Sequence, residues 1–205
     1  MSAPSLQRAE FLLSVGDLRQ LPADQGAEVA FAGRSNAGKS SAINAITGVA
    51  QLARTSKTPG RTQLLNFFAL GTPARRLLDL PGYGFARVPL AVKERWERNI
   101  AEYLRCRQSL RGLVIVADSR HPLSPPDRSL CEWCHARGLP VRILLTKADK
   151  LGFAAQQTAL REAQAVVVAL GNVEVQLFSA VSALGREQAR GLLAAWLANS
   201  PAEQA

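Results

Sequence analysis

The residues Gly33-Arg34-Ser35-Asn36-Ala37-Gly38-Lys39-Ser40 match the spacing G-x-x-x-x-G-K-[ST] between an apolar run, Glu28 to Ala32, and a helix-forming stretch that opens with Ser41. Backbone N–H groups of such a turn and of the helix start that follows it converge on one anion, which makes the segment a phosphate cradle. Lys39 then reaches the outer phosphates, and the Ser40 hydroxyl ligates magnesium. The implied ligand is a nucleoside triphosphate.

Thr146-Lys147-Ala148-Asp149 closes a second apolar run, Val141 to Leu145. Guanine offers a ring N–H beside an exocyclic amine, and one carboxylate can accept both. Adenine presents an acceptor at that ring position, so Asp149 rejects it. Leaving buried polar groups unpaired costs on the order of several kcal/mol, enough to discriminate steeply. Lys147 would lay its aliphatic stem along the base. A third run, Val173 to Phe178, delivers Ser179-Ala180, whose backbone N–H groups could donate to the guanine carbonyl.

Asp79-Leu80-Pro81-Gly82 follows Leu77-Leu78. A carboxylate ending a strand beside the phosphate loop can hold magnesium through water, and the Gly82 N–H can contact the terminal phosphate. Upstream, the polar segment from Thr55 to Gln63 carries Pro59-Gly60 and, counted with Arg54, the basic residues Lys57 and Arg61. Such a loop can fold over phosphate and metal, with Gly60, Arg61, Thr62, Gln63 and Leu64 against the nucleotide. Thr62 is the expected second hydroxyl ligand of magnesium, and Thr58 is its competitor.

With these segments in this order the chain resembles the translation-factor class of small GTPases. Within it, the chain is similar to the bacterial EngB family, also called YihA or YsxC, which is related to the TrmE, Era and septin-like GTPases. The resemblance rests on residues 33–44, 53–68, 79–86, 118–127, 146–150 and 178–180, and so spans most of the chain. It implies a single GTP-binding domain over residues 1–205 that binds GTP and GDP with magnesium. It also implies a part in assembly of the large ribosomal subunit and a need for the protein in normal division and septation. In related TrmE-like GTPases an asparagine at the position of Asn36 helps hold a potassium ion, which makes potassium a further candidate cofactor and adds Asn36 to Lys39, Thr62 and Gly82 as expected catalytic residues. The best-known small GTPases place a water-orienting glutamine directly after the DxxG glycine. Here that residue is Tyr83, so slow intrinsic hydrolysis is expected.

Composition bounds the reading independently. The chain has 205 residues, 47% of them apolar and 20% charged, which suits one soluble domain with a sizeable core. Its formal charge of +9 lowers the work of approaching a polyanion, so ribosomal RNA, or a precursor of the large subunit, is the expected partner. The alternative is a nucleotide-sensing interaction module of the division septum in which hydrolysis is incidental. Three cysteines, no long apolar span and no charged-then-apolar leader point to a reduced cytoplasmic protein, expected to be a monomer. Cys131-x-x-Cys134-His135 has no second ligand pair, and reads as half-buried cysteines beside Trp133 with an exposed His135.

These loops need a scaffold that brings them to one rim. Apolar runs alternate with helical patterns, which predicts an α/β, doubly wound, three-layer fold of the P-loop GTPase kind. Strands are expected near 28–32, 64–70, 75–80, 112–117, 140–145 and 173–178, after an N-terminal strand at 10–15. The pair 64–70 and 75–80, joined only by Gly71 to Ala74, should form an antiparallel hairpin at one edge of a mostly parallel sheet. Helices are expected near 39–47, 89–107, 126–137, 153–170 and 185–198. In the second of these, Val92, Trp96, Ile100 and Leu104 form an apolar stripe, while Lys93, Arg95, Arg98, Arg105 and Arg107 share a charged, solvated face.

Overall fold

The computed structural model describes residues 5–53, 64–83, 98, 100–121 and 123–198. Seven strands form one sheet: β1 (Ala9–Val15), β2 (Ala27–Gly33), β3 (Leu65–Leu70), β4 (Arg75–Asp79), β5 (Leu110–Asp118), β6 (Val141–Thr146) and β7 (Val173–Leu177). Their order is β1-β3-β4-β2-β5-β6-β7. From β4 through β2, β5 and β6 to β7 every pairing is parallel, whereas β1–β3 and β3–β4 are antiparallel. The 64–70/75–80 hairpin is therefore present, and β1 pairs outside it, so that β1 and not β3 forms the edge. Gly71 makes the reversal between β3 and β4 at φ +73°, a left-handed conformation that side chains resist.

Strands buried on both faces carry continuous apolar runs rather than alternating ones. β2 and β6 are buried at every position, and β5 is buried at all but two. Helices α1 (Lys39–Thr47) and α5 (Arg186–Ala198) cover one face through Ile43, Ile46, Leu193 and Leu197. The other face is covered by α2 (residues 98 and 100–106), α3 (Pro125–Ala136) and α4 (Phe153–Val167), through Leu104, Cys131, Cys134 and Val167. The remainder of the expected 89–107 helix, including Val92 and Trp96, lies outside the described residues.

Local chemistry sets the helix ends. α1 stops where Gly48 adopts φ +73° and donates its N–H to the Asn44 carbonyl. α3 starts with Pro125 and Pro126, where a missing N–H costs nothing, and Asp127 accepts from the Ser124 N–H at 2.8 Å. Two expectations are corrected here. Cys131 and Cys134 are not half-buried but fully enclosed, and burial pushes both thiols up to about 12, helped by Asp127 and Glu132 at Cys131 and by Cys131 at Cys134. His135 is exposed and pairs with Asn172 at 2.7 Å.

The second correction concerns Arg107, which is not on a solvated face. It is 5% exposed and bonds Glu28 through Nη2 at 2.7 Å and Nε at 2.9 Å. Glu28 opens the apolar run of β2, yet its carboxylate is wholly enclosed. It also accepts from Arg76 Nε at 2.6 Å and from the Tyr103 hydroxyl at 2.5 Å. Burial alone would raise the Glu28 pKa. The Arg107 and Tyr103 hydrogen bonds and the charges of Arg107 and Arg76 outweigh it and hold the carboxyl below its ordinary value. This cluster ties the C-terminal end of α2 to β2 and β4.

Removing one partner of a buried ion pair leaves the others uncompensated, so Glu28→Ala should lower folding stability by about 3–5 kcal/mol in urea titrations at neutral pH. Because the folded-state pKa is depressed, that difference should be full above the unfolded glutamate pKa and shrink as pH falls through the folded one. A midpoint matching the unaltered protein at neutral pH would contradict this role.

Candidate functional site

Parallel strands β2, β4, β5 and β6 all end at the same rim, and the sequence motifs are the loops that leave it. After β2, the chain turns at Asn36 with φ +64°, which an asparagine tolerates better than most side chains, and at Gly38 with φ +97°, then enters α1 at Lys39. The Gly33 position has no room for a side chain, since a Cβ there would lie 2.4 Å from the Val116 carbonyl oxygen of β5. The loop thus runs directly into the start of α1, with its Ala37 N–H closed onto Arg34 O at 3.1 Å.

Neighbouring strand ends fix this loop. Tyr83 donates its N–H to Gly33 O at 3.2 Å and accepts from Ser35 N–H at 2.9 Å, which bonds the DxxG segment directly to the phosphate loop. Gly82 packs so closely that a Cβ would come 3.3 Å from Ser35 Cα and N. From β6, the Thr146 hydroxyl lies 2.5 Å from Ala37 O and 3.0 Å from Ala117 O, and Lys147 Nζ donates to Asn36 O at 2.7 Å. Lys39 and Asp79, expected to meet phosphate and metal respectively, form an ion pair with each other, both side chains largely buried. Positive and negative charge therefore meet where α1 begins, one residue ahead of Ser40 in the chain.

At the other end of the site, Asp149 follows Lys147 in a short 3-10 turn. The Ser179 hydroxyl donates to Asp149 Oδ1 at 2.6 Å and accepts from the N–H groups of Val181 at 3.1 Å and Ser182 at 3.0 Å. That hydroxyl, ahead of the smaller opposing effect of burial, holds the Asp149 carboxyl below its usual range. The two loops expected to read the base are thus bonded to each other. One expectation changes, because the Ser179 N–H is already bonded to Leu184 O at 3.0 Å and has no donor left for a base. Phe178 is fully enclosed and donates its N–H to Leu145 O, and Ala148 is fully enclosed as well. Leu64 is described and partly exposed, whereas Thr58, Gly60, Arg61, Thr62 and Gln63 lie outside the described residues.

Three residues at the site had no role assigned from sequence. The Tyr83 hydroxyl donates to the Asp127 carboxylate at the start of α3, so the side chain following the DxxG glycine is turned toward that helix. Burial, then the charge of Asp127, raises the Tyr83 pKa and keeps the phenol protonated. Asp118 ends β5 and bonds both Arg120 and Lys147. Its signal in sequence is a carboxylate closing an apolar strand, the same pattern that singled out Asp79.

Residues 28–147 match the model of a family described as 50S ribosome-binding GTPase. Over 201 residues, 98% of each chain, the sequence is 51% identical to the "Probable GTP-binding protein EngB" of Coxiella burnetii (strain CbuK_Q154). It is 54% identical over 189 residues to the protein of the same name from Idiomarina loihiensis, covering 92% of this chain and 91% of that one. In structure it is similar to a crystallised probable GTP-binding protein engB, with TM-score 0.67, 22% identity and coverage of 84% of this chain and 99% of that one.

Thr146→Val keeps the shape of the side chain and deletes the bond to the phosphate loop. It should cost about 1–3 kcal/mol of stability, because the enclosed Ala37 carbonyl loses its donor. Urea midpoints for the two proteins measure this, and coincident curves would show that the hydroxyl does not hold the loop.

Proposed function

Since this chain belongs to the EngB family of GTP-binding proteins, we propose that it is a slow GTP-hydrolysing switch that acts in assembly of the large ribosomal subunit. Membership carries guanine-nucleotide binding and the GTPase class with it. The observation that supports the residue roles best is the convergence of the phosphate loop, the DxxG segment and the Asp149–Ser179 pair on one rim of the sheet.

In this reading the turn from Gly33 to Ser41 and the Lys39 ammonium receive the triphosphate, the amides of Ser35 and Ala37 being taken by Tyr83 O and Arg34 O. Asp149 accepts from the guanine N–H groups, and Ala180 N–H donates to the guanine carbonyl, since the Ser179 amide is taken. The donor set fits magnesium in kind, a carboxylate that already reaches the Lys39 ammonium and the hydroxyl of the next residue, Ser40. Ser40, Thr62 and, through water, Asp79 would hold the ion, which neutralises phosphate charge when bound. Thr58 stays the alternative to Thr62. Loading the site means parting Lys39 from Asp79, so that lysine meets phosphate and carboxylate meets cation.

Gly82 N–H is the sensor of the terminal phosphate, and its close packing on Ser35 makes any shift of one segment felt by the other. Tyr83 is bonded to Asp127 and so does not serve as the water-orienting group, which supports slow intrinsic turnover. Asn36 sits exposed at the turn of the phosphate loop, where its amide can contribute to a potassium site. The formal charge of +9 favours ribosomal RNA as the partner. Among the described residues no helix is long and apolar enough to cross a membrane. We place the protein in the cytoplasm as a monomeric single domain that is also needed for normal division and septation.

Co-sedimentation with large-subunit particles should be strong with a non-hydrolysable GTP analogue, weaker with GDP, and lost as salt is raised. Binding indifferent to nucleotide and salt would instead favour an interaction module of the septum. Turnover should rise when potassium replaces sodium, and Asn36→Ala should abolish the difference. Equal rates in the two salts would remove potassium from the mechanism.

A further inference from the structure

Lys147 has more to do than lie along a base. Its backbone is left-handed at φ +58°, and its ammonium is held at two points, Asn36 O of the phosphate loop at 2.7 Å and Asp118 Oδ2 of β5 at 2.8 Å. Asp118 is the last residue of β5 and pairs in register with Thr146, so its carboxylate and the lysine stem start from adjacent strands. That carboxylate is itself immobilised. Arg120 donates to Oδ1 from its backbone at 3.1 Å and from Nε at 2.9 Å, and to Oδ2 from Nη2 at 2.7 Å.

A lysine stem has several rotatable bonds, and ordering it on ligand binding weakens the complex unless the order is present beforehand. We propose that Asp118 is a positioning residue for the nucleotide site: it holds the Lys147 ammonium between β5 and the phosphate loop, so that the stem lies ready along the base and nucleotide leaves slowly. This rests on the reading of Lys147 as a neighbour of the base. The Arg120 hydrogen bonds first, and Lys147 after them, keep the Asp118 carboxyl well below the usual carboxylate range, so it stays charged throughout the neutral region. The Asp118 side chain is only 12% exposed, which shields the contact from solvent more than an ordinary surface pair. A purely local role, closing the turn after β5 with Arg120, would involve Asp118 but not depend on Lys147.

The test is the dissociation rate of a fluorescent GDP analogue from the full chain, chased with excess GDP. Asp118→Asn should release it at least tenfold faster, and Asp118→Glu, which keeps the charge, should recover most of the loss. In a Lys147→Met background the Asp118→Asn change should add less than twofold. Full additivity of the two substitutions, or an unaltered rate in folded Asp118→Asn protein, overturns the positioning role. Should Asp118→Asn fail to fold, Arg120→Ala removes a half-exposed side chain and should speed release about threefold; an unaltered rate there overturns the proposal as well. An unaltered rate in Lys147→Met would instead sink the underlying placement of Lys147 against the base, which separates the two failures.

Discussion

The phosphate loop carries amides and carbonyls that must be paired somewhere, and here the ends of neighbouring strands pair them. Tyr83 bonds Gly33 and Ser35, the Thr146 hydroxyl meets Ala37, and the Lys147 ammonium meets Asn36. These loops follow β4 and β6, which flank β2 and β5 in a parallel array, so their C-terminal ends reach the same rim. An isolated glycine-rich turn would sample many conformations; this one is bonded on both sides. The loop's shape is therefore a property of the sheet, set by bonds that hold without any ligand.

The sheet's opposite rim has a different task. Glu28, Arg76, Arg107 and Tyr103 form an enclosed charged cluster there, which ties the end of α2 to β2 and β4. Because α2 follows the DxxG segment in sequence, one end of that connection is anchored by ion pairs, while the other is bonded through Tyr83 to the phosphate loop. The Tyr83–Asp127 bond adds α3 to the same connection.

Much of this was legible in the residues alone. The order of strands and helices followed from apolar periodicity, and the loops that converge were those flagged by Gly33 to Ser40, Asp79 to Gly82, Thr146 to Asp149 and Ser179-Ala180, because each motif is local in the chain. What stayed hidden was nonlocal. Glu28 reads as the polar start of an apolar strand until Arg76 and Arg107 are brought to it by pairing and by packing of α2. Arg107 sits at the end of a charged helical face, and only the turn after α2 directs it inward. Ser179 looked like a backbone donor until the turn to Leu184 consumed its amide, leaving its hydroxyl to grip Asp149. Asp118 had no partner in sequence, since Lys147 becomes its neighbour only when β5 and β6 align.

We propose that one rim of the sheet grips a triphosphate while Asp149, steadied by Ser179, selects guanine. Titration calorimetry of the full chain with magnesium and either GTP or ATP tests it most directly. Saturable heat is expected with GTP, and no measurable binding of ATP over the same concentrations. Equal heats for the two nucleotides, or none for GTP with folded protein, would contradict it.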